Sequence, residues 1–300
     1  MPKILIAGGT GLIGTAISKK LKAQGASFAL LSRKENLKGE IPAYRWSYKE
    51  NYIDPRALEG VDYIINLAGA GIADRPWTEK RKALIISSRT QGNDLIADYI
   101  RNGKLKLKKY ISASAVGFYG DRGAETLDEN SSSSTGFLSE SCQAWENAIN
   151  EVEKTGTDTC IIRVGLVLAN EDGVFPKLMM TARFGLGTYF GNGQQYLSWI
   201  HIEDMADLFL WAMANADAKG IYNGTAPEPK TNEEIIQEIM DIKGGLKIVA
   251  PVPGFLLKTL MGELSSVVLG GSRVLPKKAI AEGFDYRFKD LRHALQDLMN

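Results

Sequence analysis

Short apolar runs recur along the first half of the chain, and segments with helical spacing separate them. The runs are Lys3–Ala7, Phe28–Ser32, Val61–Gly69, Lys109–Ala115 and Thr159–Leu168. Runs of this length are typical of strands that are buried on both faces of a sheet. Between them, apolar residues three or four positions apart predict amphipathic helices, one through Ile13, Ala16, Ile17 and Leu21 and another through Leu138, Trp145, Ile149 and Val152. The alternation predicts an α/β fold with a doubly wound parallel sheet.

The first run leads directly into a glycine-rich segment, Gly8–Gly14. Gly8 permits a tight turn, Gly11 has no Cβ that would obstruct a diphosphate, and Gly14 lets the next helix lie close to the strand. The freed N–H groups and the positive end of the helix dipole then face the anion. The segment predicts a Rossmann-type nucleotide site, with a glycine turn that binds nothing as the alternative. Its expected contacts are Gly8, Thr10, Gly11, Leu12, Ile13 and Gly14.

The second run ends in Ser32, Arg33 and Lys34, about twenty residues after the glycine turn. In a dinucleotide fold this position meets the adenosine ribose, where an acidic residue would accept the 2′-hydroxyl and repel a 2′-phosphate. A hydroxyl and two cations suit the 2′-phosphate instead. We therefore predict that Ser32 and Arg33 bind NADP(H); a solvated basic strand end is the alternative.

Small residues follow the third run, at Ala68–Gly71. Without bulky side chains, the backbone there can lie against a cofactor. Leu67, Ala68 and Gly69 are accordingly predicted to contact the dinucleotide.

The strand–helix rhythm changes after Ala169. A glycine-rich stretch, Gly185–Gly193, precedes a helix that Asp204 is predicted to cap, and Thr231 with Glu234 predicts a capping box for another. We interpret residues 1–225 as a nucleotide-binding domain, of which 170–200 contribute to a smaller lobe. Residues 226–300 are interpreted as the rest of that C-terminal substrate lobe.

Composition limits the partners that we expect. The 300 residues carry a net charge of +1, which gives no reason to propose nucleic acid or an anionic membrane as a partner. Cys142 and Cys160 show no metal-type pairing. No basic leader precedes the first strand, and the apolar stretch Phe255–Gly271 contains charges and is too short to span a bilayer. The expected protein is cytoplasmic, acts on a small molecule, binds no metal, and could form an oligomer.

Several segments together resemble the extended short-chain dehydrogenase/reductases, which include nucleotide-sugar epimerases, dehydratases and reductases. They are Gly8–Gly14, Asn66–Gly69, Ser112–Val116 with Tyr119 and Gly120, Arg163, and Trp199–Asp204. A finer resemblance, to the branch called "epimerase family protein", includes Ser32–Lys34, Ser88-Arg89, Trp145-Glu146 and the segment beginning at Val274. This resemblance implies an NADP(H) binder whose substrate is unassigned. It also implies cofactor contacts at Arg89, Arg163 and Val164; a surface role for Arg89 and a structural carboxylate partner for Arg163 are the alternatives.

The chain departs from that family at its acid/base pair. Extended members generally use Tyr-x-x-x-Lys, in which the lysine lowers the tyrosine pKa for proton exchange. Aligning the expected helix on Glu146 puts Leu138 and Cys142 in those two places. The remaining catalytic candidates are Ser114, which matches the family's substrate-polarising serine, and Tyr119. A hydroxyl that closes a turn is the alternative for Ser114, and a core aromatic residue is the alternative for Tyr119. Glu140 and His201 are weaker candidates; compensation of the helix dipole by Glu140 and an architectural role for His201 are the alternatives.

Three functional hypotheses follow. The first is an NADP(H)-dependent oxidoreductase that acts on a small molecule between the two lobes. The second is a catalytically silent NADP(H)-binding module in which the cofactor regulates a partner surface. The third is a nucleotide-sugar epimerase or dehydratase, for which the missing tyrosine is the greatest difficulty.

Overall fold

The computed structural model of the protein describes residues 3–300. Its strands are β1 (Lys3–Ala7), β2 (Ser27–Ser32), β3 (Ala43–Ser47), β4 (Tyr52–Ile53), β5 (Val61–Asn66), β6 (Lys109–Ala115), β7 (Gly123–Leu127), β8 (Asp158–Val164), β9 (Leu166–Leu168), β10 (Leu186–Phe190), β11 (Tyr196–Leu197), β12 (Trp199–His201), β13 (Gly220–Gly224), β14 (Lys230–Thr231), β15 (Ile248–Val252) and β16 (Ser272–Val274). Its helices are α1 (Leu12–Ala23), α2 (Pro55–Leu58), α3 (Glu79–Arg101), α4 (Phe137–Glu153), α5 (Phe175–Ala182), α6 (Ile202–Ala214), α7 (Asn232–Lys243), α8 (Gly254–Met261), α9 (Ser266–Leu269), α10 (Lys277–Ala281) and α11 (Leu291–Met299). Within residues 3–300, no helix combines the length and the apolar character that crossing a membrane requires.

The fold is organised by an eight-stranded sheet with the order β13-β8-β6-β5-β1-β2-β3-β4. Every neighbouring pair is parallel except β3 with β4. Helix α1 packs with α6, and α3 packs with α4, so the crossover helices form two pairs that cover the sheet. The predicted doubly wound α/β fold is confirmed.

Two large apolar cores contain most of the buried apolar residues. The larger surrounds the central strands and includes Ile6, Ile65 and Ile111. The smaller joins α5, α7 and α11 through Phe175, Ile239, Leu295 and their neighbours. Phe284 and Tyr286 belong to the larger core, whereas α11 belongs to the smaller one. Residues 226–300 therefore help to build both.

One predicted helix cap is confirmed and another is wrong. Thr231 and Glu234 form the expected capping box at the start of α7. At α6 the cap is His201, whose Nδ1 accepts a hydrogen bond from the Glu203 N–H at 3.2 Å. Asp204 lies inside the first turn, and its carboxylate accepts the N–H groups of Arg287 and Phe288 at 2.9 Å each. Because those donors lie more than eighty residues away, Asp204 fixes the C-terminal segment onto α6 instead of capping it.

Candidate functional site

The glycine turn leaves the amino end of α1 open to a ligand. Gly11 is the N-cap residue, and it has no side chain to bond the first-turn N–H groups. A Cβ on Gly11 would meet only the Gly8 oxygen, at 3.4 Å, so that position faces open space. Thr10, Gly11 and Leu12 also border a cavity of about 330 Å³ that extends along α1 to His201. Because four carboxylates line that cavity, the position that suits an anion is the helix end itself; they are Glu171, Asp172, Glu203 and Asp297. Unbonded N–H groups at a helix amino end suit an anion.

The other glycines of the turn are required by close packing. Gly8 has φ +76°, and a Cβ there would lie 2.7 Å from the Leu67 carbonyl carbon. A Cβ on Gly14 would lie 2.5 Å from the Gly9 Cα. The turn thus lies directly against the exit of β5, which brings Leu67 and Ala68 next to it. Ile13, by contrast, is half-buried against the larger core.

The Gly11→Ala variant should separate dinucleotide binding from stability. Gly11 has an ordinary extended backbone, with φ −81° and ψ 175°, so alanine fits the free protein. We expect its free energy of unfolding to change by less than about 0.5 kcal/mol, while dinucleotide affinity falls about tenfold or more because the methyl group enters the phosphate position. Urea unfolding and a fluorescence titration with NADPH measure the two quantities. Gly14→Ala is the matched control and should lower stability as well; unchanged affinity in Gly11→Ala would contradict this site.

The carboxyl end of β2 stands beside the glycine turn. The β1–β2 register pairs Ala7 with Leu31, which places Ser32 and Arg33 at the same edge of the sheet as Gly8. Arg33 is exposed and forms no ion pair with any of residues 3–300. The first acidic residue beyond it, Glu35, is bonded to Arg56. A free guanidinium therefore occupies the position that was predicted to meet the 2′-phosphate.

Arg89 lies close to the exit of β5. Its guanidinium stacks on the Trp145 ring at 4.9 Å, and its Nη1 donates to the Ile85 carbonyl at 3.0 Å. A Cβ on Gly69 would lie 3.1 Å from the Arg89 Cζ. No carboxylate among the described residues pairs with it, and burial lowers the pKa of Arg89. A half-buried cation without a counter-charge favours an anionic ligand nearby.

Ser114 and Tyr119 belong to a buried polar network. The Ser114 hydroxyl donates to Glu146 Oε1 at 2.7 Å, and Arg163 binds both oxygens of Glu146 at 2.8 Å. Arg163 Nη1 donates to the Tyr119 hydroxyl at 2.8 Å, and that hydroxyl donates to Asn223 Oδ1 at 2.8 Å. Each member has a protein partner.

The network places two predicted catalytic residues and one predicted cofactor ligand inside the protein. Ser114 and Arg163 are each 2% exposed, and Tyr119 is fully buried. Burial raises the pKa of Tyr119, although Arg163 opposes the shift. This is the reverse of the effect that a Tyr-x-x-x-Lys lysine has on its tyrosine. Arg163 has the carboxylate partner that a charged residue in an apolar strand requires. Val164 ends the same strand, half-buried and paired with Ala115.

The family's acid/base positions hold no group that exchanges a proton near neutral pH. Leu138 is half-buried, and Cys142 is 4% exposed. Burial raises the pKa of the Cys142 thiol to about 11. Glu140 accepts the Gly136 N–H at 3.2 Å at the start of α4. Burial lowers the pKa of His201 to about 4, so this helix cap is neutral at pH 7.

Sequence reasoning missed Glu146 and Asn223 as members of the network. A signal for Glu146 existed, because a charged residue on the apolar face of α4 and an arginine inside β8 each need a partner. Nothing in the local sequence marks Asn223. Its side chain also donates to the Leu275 carbonyl at 3.0 Å, which links the network to the C-terminal segment.

Comparisons with known proteins agree with this arrangement. The family described as NAD dependent epimerase/dehydratase matches residues 4–223, and a domain of unknown function, DUF1731, matches residues 252–298. Epimerase family protein YfhF of Bacillus subtilis is 37% identical over 299 residues, which cover 99% of this chain and 97% of that protein. The chloroplastic SDR39U1 homolog of Arabidopsis thaliana is 32% identical, covering 99% and 86%.

Solved structures extend the comparison. Human epimerase family protein SDR39U1, crystallised with NADPH, is 29% identical with a TM-score of 0.88, covering 99% of this chain and 98% of that one. MoeE5, solved with UDP-glucose and NAD, shares only the fold at 15% identity and a TM-score of 0.76, covering 99% and 97%. The resemblance predicted from the sequence is confirmed. The chain belongs to the NAD-dependent epimerase/dehydratase family, in the branch of the epimerase family proteins.

Proposed function

We propose that this protein is an NADP(H)-dependent oxidoreductase of the extended short-chain type, acting on a small molecule. The observation that carries the proposal is the unpaired Arg33 at the carboxyl end of β2, beside the open amino end of α1. A guanidinium there favours a 2′-phosphate, whereas NAD-specific sites place a carboxylate at this position. The human relative's structure with NADPH supports the same choice of cofactor.

The described residues fit the dinucleotide. The first-turn N–H groups of α1 would bind the diphosphate, and Ser32 and Arg33 would bind the 2′-phosphate. Arg89 would supply a further positive charge near the exit of β5. When bound, the nicotinamide supplies or accepts a hydride. The protein's part is to orient the dinucleotide and to exclude water from the cleft.

A second candidate is a catalytically silent NADP(H)-binding module. The favouring observation is that Ser114 and Tyr119 are buried and bonded to protein groups, while Leu138 and Cys142 replace the usual acid/base pair. The catalytic roles of Ser114 and Tyr119 stay predictions. In either function the same dinucleotide site is used, so cofactor binding and turnover need separate measurements.

Titration of the purified protein with NADPH and NADH, followed by fluorescence, tests the proposal. We expect NADPH to bind about tenfold tighter or more, because one charge-assisted contact to the 2′-phosphate contributes about 1.5–3 kcal/mol. Equal or tighter binding of NADH would contradict the assignment of Arg33. A carbonyl screen that follows NADPH oxidation then separates the two candidates, since only the oxidoreductase shows turnover.

A further inference from the structure

Arg273 is a half-buried arginine that the dinucleotide site leaves unused. Its Nε is buried and has no hydrogen-bond partner, and its guanidinium forms no ion pair within residues 3–300. Arg163, by comparison, binds Glu146 through two nitrogens. Burying a charged donor without a partner is unfavourable, so such a group requires an explanation.

The strand that carries Arg273 is firmly held. The Ser198 hydroxyl donates to the Ser272 carbonyl at 2.6 Å and accepts the Val274 N–H at 2.9 Å. On the same strand, Ser272 donates to the Gly120 carbonyl, and Val274 packs with Tyr119 in a small buried cluster. Because side chains alternate along a strand, Arg273 points to the opposite face from the Ser272 and Val274 side chains. These contacts fix the backbone of β16 without using the Arg273 guanidinium.

An aromatic ring supports the guanidinium. The Arg273 Cζ lies 5.5 Å from the centre of the Tyr196 ring. The backbones of the two segments also lie close together, because a Cβ on Gly271 would come within 2.2 Å of the Tyr196 carbonyl oxygen. A stacked arginine keeps its planar set of donors free at the edge, which is the geometry that binds carboxylate and phosphate groups.

The position of β16 connects this arginine with the nucleotide-binding half. Strand β16 adjoins Gly120 and Asp121. These two residues follow the 3-10 turn that comes after β6, and β6 carries Ser114. Thr225 donates to the Val274 carbonyl, and Asn223 to that of Leu275. The arginine therefore lies on the C-terminal lobe where it meets the segment after β6.

We propose that Arg273, supported by Tyr196, binds an anionic group, a carboxylate or a phosphate, on the substrate. The proposal rests on the proposed function in one respect, which is that the anionic group belongs to the substrate of that reaction. Binding of the anion itself can be measured without turnover.

The test is an NMR titration of ¹⁵N-labelled full-length protein saturated with NADPH, so that the dinucleotide's phosphate sites are filled. The Arg273 Nε–H resonance is identified by its loss in Arg273→Lys. We expect it to shift saturably with inorganic phosphate or with succinate, at a Kd on the order of 1–10 mM for one charged contact. The probe that gives the tighter Kd identifies phosphate or carboxylate as the group. No saturable shift from either probe up to about 20 mM would overturn the proposal.

A matched control is Arg183, an exposed arginine beside Phe184. The shift of its Nε–H resonance should not saturate as the anion is added. An equal saturable shift at Arg183 would mean that the anion acts nonspecifically on exposed arginines, and it would overturn the proposal. In melting experiments, the anion-dependent rise in Tm should disappear in Arg273→Met and persist in Arg183→Met. If NADPH fails to bind at all, the proposed function fails, whereas the same titration on the free protein still tests Arg273.

Discussion

Replacing Glu146 by alanine is expected to destabilise the protein by about 3–5 kcal/mol. The substitution leaves the Arg163 guanidinium buried without its counter-charge and removes the acceptor of the Ser114 hydroxyl. Burial alone lowers the pKa of Arg163, but the bonds to Glu146 outweigh it and hold that pKa above its usual value. In the variant, a buried cation therefore loses the group that stabilises it. Urea unfolding followed by circular dichroism measures the change.

Glu151 provides the control for this prediction, because it lies on the same helix and forms ion pairs at the surface with Arg101 and Lys154. Glu151→Ala should change stability by less than about 1 kcal/mol, since exposed pairs contribute little. A double variant that replaces Glu146 and Arg163 with apolar residues should recover part of the loss. Equal effects of Glu146→Ala and Glu151→Ala would contradict the assignment of the buried pair.

Replacing Arg33 by glutamate is expected to lower the affinity for NADPH by about 100-fold, because a charge-assisted contact is lost and a repulsive charge is introduced. NADH affinity should stay the same or rise, since a carboxylate at this position can accept the ribose 2′-hydroxyl. Fluorescence titration of both dinucleotides measures the change in preference.

Arg183→Glu is the control, because it makes the same charge reversal at an exposed position after α5. It should leave both affinities within about twofold of the wild type. A parallel loss of NADPH affinity in both variants would assign the effect to overall charge and would contradict a specific role for Arg33.

The sequence predicted those strands, turns and helix caps that are determined by residues close together in the chain. The uninterrupted apolar runs identify the central strands, because a strand that helices cover on both faces has no solvent-exposed face that would need polar residues. The spacing of the glycines at positions 8, 11 and 14 indicates a separate reason for each: a tight turn, room for a diphosphate, and close packing of the helix on the strand. The capping box at Thr231 is contained within four residues.

Side-chain networks could not be predicted in the same way. Asp204 has the residue type and position of a helix cap. Its carboxylate oxygens, however, accept hydrogen bonds from the N–H groups of Arg287 and Phe288. Only the folded chain brings those donors to α6, and His201 takes the capping role. Similarly, the partners of Tyr119 lie on β8 and β13, so its burial depended on the packing of distant elements.

We expect NADP(H) to lie along the carboxyl edge of the sheet, with its diphosphate at the amino end of α1 and its 2′-phosphate on Arg33. A crystal structure of the protein grown with NADPH tests this most directly. We predict density for the diphosphate against Gly11 and Leu12, and for the 2′-phosphate within hydrogen-bond distance of Arg33. A dinucleotide bound elsewhere, or one whose 2′-phosphate points away from Arg33 into solvent, would contradict this position of the cofactor.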